Sequence, residues 1–346
     1  LTADIIPHTS PDAHQPCWQE QLAVAIRDPA ELLKRLNIDP TQLDSSDVAQ
    51  QAWSIRAPLP YVQRMRKGDI NDPLLRQVLP LGAEMLSVAG FSHDPLGEED
   101  ANPVAGVVHK YHGRALLIIS PACAIHCRYC FRRHFPYEDN TLGKGEWQTA
   151  LDYLANDKSI SEVIYSGGDP LAANDNFLLW ITEKIAAIPH IKRLRIHTRL
   201  PLVIPSRINE SCIHWLTATR LKIIMVWHIN HPNEIDLSVE ETALNLKRHG
   251  IELLNQAVLL KHVNDSTQIL AQLSEKLFEI GILPYYIHRL DQVAGAAHYD
   301  IDDEKILQLQ QELLALLPGY LVPRFVYEQA GAHSKSALSL PPTNTL

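Results

Sequence analysis

The stretch "CAIHCRYCFRRHF", residues 123–135, sets Cys123, Cys127 and Cys130 in a C-x₃-C-x₂-C array and follows them with Arg132 and Arg133. These are three of only five cysteines in 346 residues. An odd count with such crowding argues against a disulfide framework and for thiolates kept reduced to hold metal. Structural zinc usually takes four ligands from two separated pairs. No second pair with that spacing is evident, although His126 and His134 lie close by. An iron–sulfur cubane held by three thiolates leaves one iron open to an outside ligand. Three cysteines on one loop can wrap such a cluster without long-range closure. Cys17 and Cys212 stand alone and read as spare thiols or small core residues.

The residues on either side of the cysteines set the fold expectation. "ALLIIS" (115–120) precedes them, and "EVIYSGG" (162–168), "RLRIHT" (193–198), "KIIMVWHI" (222–229), "LLNQAVLL" (253–260) and "PYYIHRL" (284–290) follow. Between these β-rich runs lie helix-like segments at 147–157, 177–188, 240–250 and 267–281. Strands alternating with helices imply βαβ units on a parallel sheet, and right-handed crossovers curl it. Six units fall short of the eight that close a barrel, so the expectation is an α/β fold, a partial (β/α)₆ barrel. Its functional loops should leave the C-terminal ends of the strands. The cysteines follow the first strand, and "SGGDP" (166–170) follows the second.

Residues 1–105 carry helical patches at 18–28, 29–37 and 73–86 and read as a helical arm or cap. "EEDANP" (98–103) reads as a linker into a barrel over 106–315, and 316–346 forms a C-terminal segment. Apolar residues make up 46% and charged residues 21%, the profile of a soluble globular enzyme. Runs such as "LKIIMVW" (221–227) are too short to span a bilayer, and the N-terminus does not read as a signal peptide. A cytoplasmic protein without a membrane partner is expected. A net charge of −9 disfavours a broad nucleic-acid surface.

The cysteine spacing after strand one, with a Gly-Gly turn after strand two, resembles the radical S-adenosylmethionine (SAM) superfamily. The resemblance implies a [4Fe-4S] cluster on Cys123, Cys127 and Cys130, with SAM on the open iron. Ser166, Gly167, Gly168 and Asp169 would then make room for SAM by close backbone approach. "CRYCFRRHFP", "YSGGDPL", "RIHTRLPLVIPSRI", "HINHPNEI", "NQAVLL" and "PYYIHRLD", in order over about two thirds of the chain, resemble the lysine 2,3-aminomutase family. Its short branch, which acts with elongation factor P, is the nearest in pattern.

That resemblance implies an isomerase converting L-lysine to β-lysine with SAM and pyridoxal 5′-phosphate (PLP), fed by an electron donor. Lys335 would form the Schiff base with PLP, and Tyr111 and Arg114 would serve its phosphate. Arg132 would hold the substrate α-carboxylate, and Asp291 and Glu328 its distal ammonium. Glu328 replaces the aspartate usual in the family, and His288 stands where relatives often have tyrosine. His228 and Gln256 match positions that contact SAM. The C-terminal zinc segment of longer relatives is expected to be absent, since no cysteine follows Cys212. The product would pass to a ligase acting on elongation factor P, and the N-terminal arm is compatible with a homo-oligomer. Ornithine is the second substrate candidate. A radical SAM enzyme without PLP, and a non-catalytic iron–sulfur or zinc protein, stand as alternatives.

Overall fold

The structure, a computed structural model, describes residues 17–42, 47–98, 100–143 and 145–338. Residues 1–16, where the signal-peptide reading fell, and 339–346, the end of the expected C-terminal segment, lie outside the described residues. One sheet of nine strands follows chain order from edge to edge. Strand β1 (Val107–Tyr111) turns back antiparallel onto β2 (Arg114–Ser120). From β2 onward the ladder is parallel through β3 (Glu162–Gly167), β4 (Arg193–Thr198), β5 (Lys222–His228), β6 (Glu252–Val258), β7 (Leu283–His288) and β8 (Arg324–Tyr327). Strand β9 (Ser336–Ala337) closes the series antiparallel to β8.

All six apolar runs are strands, β2 to β7, as the partial barrel requires. Strand β8 adds a seventh parallel member, reached through helix Asp303–Leu316. Among the described residues no ladder joins β1 to β9, so the sheet stays open.

The crossovers begin where short polar side chains cap the helices. Asn174, Asn209, Asp236 and Asp302 each accept the main-chain N–H three residues on, at 2.8 to 3.0 Å. They start helices Asp175–Ala186, Glu210–Thr217, Leu237–Arg248 and Asp303–Leu316. In the first of these, Leu178, Ile181 and Ile185 make the buried stripe that lies against the sheet.

The N-terminal region shares this core. Leu32, Tyr61 and Val78 pack in the same cluster as Leu117, Ile196 and Met225 of the strands. The helix expected over 73–86 is not formed. Two short 3₁₀ turns, Leu75–Gln77 and Gly82–Met85, stand in its place. Pro80 removes a donor and disfavours helical backbone at Leu79, so the apolar spacing there is used by turns. The stretch 98–103 is not a free linker either, because Glu98 is buried, with 5% of its surface exposed. No helix among the described residues is long and apolar enough to cross a membrane.

Candidate active site

The C-terminal ends of the parallel strands border one cavity of about 520 Å³. Every residue given a site role from the sequence lines it: Cys123, Cys127, Cys130, Arg132, Tyr111, Arg114, Ser166, Gly167, Gly168, Asp169, His228, Gln256, Asp291, Glu328 and Lys335. The geometry follows from topology. The cysteine loop leaves β2, the glycine turn leaves β3, His228 ends β5, and Asp291 follows β7. Glu328 follows β8, and Lys335 immediately precedes β9.

The cations around the cysteines anchor their loop. Arg128 sets Nε and Nη2 on the two oxygens of buried Glu84, at 2.9 and 2.6 Å, and Arg133 Nη2 donates to Oε2 of the same glutamate at 2.9 Å. A buried carboxylate with two guanidinium partners fixes the loop through charge-assisted bonds. Arg133, to which the sequence assigned nothing, is thus a structural anchor.

From the other side, the main-chain N–H groups of Gly168 and Asp169 donate to the carbonyls of Ser120 and Ala122, both at 2.8 Å. A Cβ on Gly168 would stand 2.6 Å from the Pro121 carbonyl oxygen, and one on Gly167 2.5 Å from that of Ser120. The close approach that demands glycine is therefore to the cysteine loop itself.

Burial, then the neighbouring Cys130 thiol, pushes the Cys123 thiol well up, and burial pushes Cys130 up to about 12. Burial thus favours the neutral thiols, and a cationic metal centre would be needed to deprotonate them. Among the described residues no three His, Cys, Asp or Glu side chains converge as ligands of a single ion. The three cysteines instead border a shared space, which suits a cluster with its own inorganic sulfur.

Elsewhere in the cavity, acids and bases alternate. Glu328 accepts from Lys335 at 2.6 Å and from Lys110 at 2.8 Å. Burial alone would raise its carboxyl, but Lys335 and then Lys110 overcome that and hold it below the usual range. Asp291 is pushed up to about 7 by burial and by the charge of Glu328. Arg132 is bound by Glu98 at 2.7 and 2.9 Å and donates Nη1 to Ser166 Oγ at 2.9 Å.

The buried polar atoms of lining residues that lack a partner include Tyr111 Oη, His197 Nε2 and His288 Nε2. Each such group costs about 1–3 kcal/mol. Several such groups around one cavity mark space for a polar ligand. Arg114 stacks on the Tyr111 ring at 4.6 Å, next to this group. Burial, then Arg199, lowers His228 to about 3, so its imidazole is neutral, and its Nε2 meets Gln256 Nε2 at 2.6 Å. The residues present fit a phosphate-bearing cofactor with a carbonyl for the Lys335 amine, beside an iron–sulfur cluster.

Sequence reasoning missed Glu98, Lys110, Arg195, His197, Arg199, Tyr285, Tyr286 and Arg324 on the cavity wall. For some, strand alternation was the available signal. In β4, Leu194 and Ile196 face the core while Arg195 and His197 face the cavity.

A three-cysteine loop laid over a glycine turn at the mouth of an open α/β barrel defines a radical SAM protein, and residues 117–211 match the Radical SAM superfamily. The chain is 50% identical over 324 residues to L-lysine 2,3-aminomutase of Escherichia coli (strain K12), covering 93% of this chain and 94% of that one. The protein of the same name in Haemophilus influenzae is 47% identical over 332 residues, covering 96% and 98% of the two chains. That of Clostridium subterminale is 34% identical over 331 residues, covering 94% and 78%. The chain belongs to the L-lysine 2,3-aminomutase family.

Proposed function

We propose that this chain is a radical SAM, PLP-dependent L-lysine 2,3-aminomutase, an isomerase that moves the amino group of L-lysine from C2 to C3 and yields β-lysine. One observation supports this above the rest: a single cavity is bordered both by Cys123, Cys127 and Cys130 and by the Lys335–Glu328 pair. Cys123, Cys127 and Cys130 would hold the [4Fe-4S] cluster. The turn Ser166–Asp169, with His228 and Gln256, would receive SAM. Lys335 would bind PLP, with Tyr111 and Arg114 at its phosphate. When bound, these groups supply a hydrogen-abstracting radical and a conjugated system that spreads the unpaired electron.

The chain itself positions the substrate and excludes water. Arg132 offers its guanidinium to the α-carboxylate, in competition with Glu98. Glu328 needs a cation in this buried setting. When Lys335 is engaged through its amine and loses its charge, the distal ammonium of lysine can take its place beside Glu328. The same ammonium favours the ionised form of Asp291. Two acids in reach suit a diamino acid. A dicarboxylic substrate would instead need cations there.

In this reading residues 1–105 form the cap, 106–315 the barrel, and 316–346 carry the cofactor lysine. The protein works in the cytoplasm with an electron donor, and β-lysine passes to a ligase that acts on elongation factor P. The likeness to the short family branch supports that last step. The test is anaerobic reconstituted protein with SAM, PLP, dithionite and either L-lysine or L-ornithine, with products read by mass spectrometry. β-Lysine from wild type, none from Cys127→Ala, and little turnover of ornithine are expected. Equal product from wild type and Cys127→Ala would overturn the proposal.

A further inference from the structure

Arg199 follows β4 and is buried between the cavity wall and the residues that support the cysteine loop. Its Nη1 donates to Cys127 Sγ and to Tyr129 Oη, both at 2.7 Å. Its Nη2 donates to Gln77 Oε1 at 2.7 Å and Glu234 Oε2 at 2.9 Å. The main-chain N–H of Arg199 donates to Asp169 Oδ2 at 2.8 Å, tying it to the glycine turn as well. Among the described residues, no other side chain donates a hydrogen bond to a sulfur of the three cysteines.

The guanidinium has little freedom to move. Glu234 is fully buried, and its other oxygen accepts from Gln77 Nε2 and from the main-chain N–H groups of Asn230 and His231, at 3.0 to 3.1 Å. The carboxylate is therefore partnered on both oxygens. Gln77 and Glu234 hold the cation from behind, and Cys127 receives its forward edge. Such a rigid, largely buried arrangement is what lets an N–H dipole act strongly on a neighbour.

We propose that Arg199 is a positioning residue for the cluster, fixing the Cys127 ligand and making the centre easier to reduce. This rests on the three cysteines holding the iron. Reduction adds one negative charge to the cluster and its sulfur ligands. A donor aimed at one of those sulfurs stabilises the reduced form more than the oxidised form, and hydrogen bonds to sulfur are an established lever on cluster potential. Glu234 offsets the distant charge of Arg199, so the effect is local and directed through the N–H···S contact.

The test is a redox titration of reconstituted protein followed by electron paramagnetic resonance, comparing wild type, Arg199→Lys and the neutral pair Arg199→Gln with Glu234→Gln. The double variant should shift the midpoint to more negative potential by at least a tenfold change in the reduced-to-oxidised ratio, ~59 mV for a one-electron couple. Arg199→Lys, which keeps charge but loses the fork, should shift it less. Iron content and circular dichroism check that cluster and fold are retained. A folded, iron-loaded double variant with the wild-type midpoint overturns the proposal. If the double variant does not fold, an unshifted midpoint in Arg199→Lys overturns it alone. A wild-type protein whose cluster signal ignores added SAM would instead sink the functional reading, so the two failures are separable.

Discussion

Glu98 fills the fork of Arg132, its two oxygens accepting from Nε at 2.7 Å and Nη2 at 2.9 Å. Arg132 is thus already paired with a carboxylate supplied by the chain, before any substrate carboxylate arrives. Glu98→Gln keeps the side-chain shape and weakens that pairing. The dissociation constant for L-lysine, measured anaerobically by equilibrium binding, should fall by about fivefold, equivalent to ~1 kcal/mol. Weaker binding would mean that Glu98 only orients Arg132.

Asp291 sets a pH dependence. Its carboxyl is pushed up to about 7 by burial and Glu328, so it is neutral below that pH and ionised above it. Only the ionised form pairs with an ammonium. The ratio kcat/KM for lysine, which reports the free enzyme, should rise with pH through about 7. Asp291→Asn should flatten that limb of the profile and lower its plateau.

Glu328 is the shared partner of Lys335 and Lys110. Glu328→Gln leaves the half-buried Lys110 with one acid fewer and removes a contact for the substrate ammonium. KM for L-lysine should rise by about tenfold or more. The iron content and the response of the cluster to SAM should not change, since both depend on the other part of the cavity.

Gly168 admits the cysteine loop. Its missing Cβ would stand 2.6 Å from the Pro121 carbonyl and 2.7 Å from that of Ala122, both main-chain atoms that cannot swing aside. Gly168→Ala should cost about 1–3 kcal/mol of stability in denaturant titrations and reduce the iron retained per chain. Gly145→Ala, where nothing lies within 4 Å, is the control and should leave both values unchanged.

The cysteine loop and strands β2 to β7 were legible because their signals are local: a spacing of four and three residues, and apolar runs bounded by turn formers. What escaped the sequence depends on distant partners. Arg132 meets Glu98 across 34 positions, Arg133 meets Glu84 across 49, and Arg199 meets Gln77 across 122. No periodicity records such pairs, and a charged residue such as Glu98 in "EEDANP" looks like any solvated linker. The run 73–86 misled for a different reason, since apolar spacing suits two turns around Pro80 as well as a helix. Strand β8, only four residues long, gave too short a signal to be joined to the sheet in advance.

The decisive measurement is label transfer with L-lysine deuterated at C3. If Cys123, Cys127 and Cys130 serve the same cavity as Lys335, the hydrogen removed from the substrate must pass through SAM. Deuterium should then appear in re-isolated SAM as well as in β-lysine, and in neither product with Cys127→Ala or Lys335→Ala. β-Lysine formed with no deuterium entering SAM would show that the two ends of the cavity do not act together.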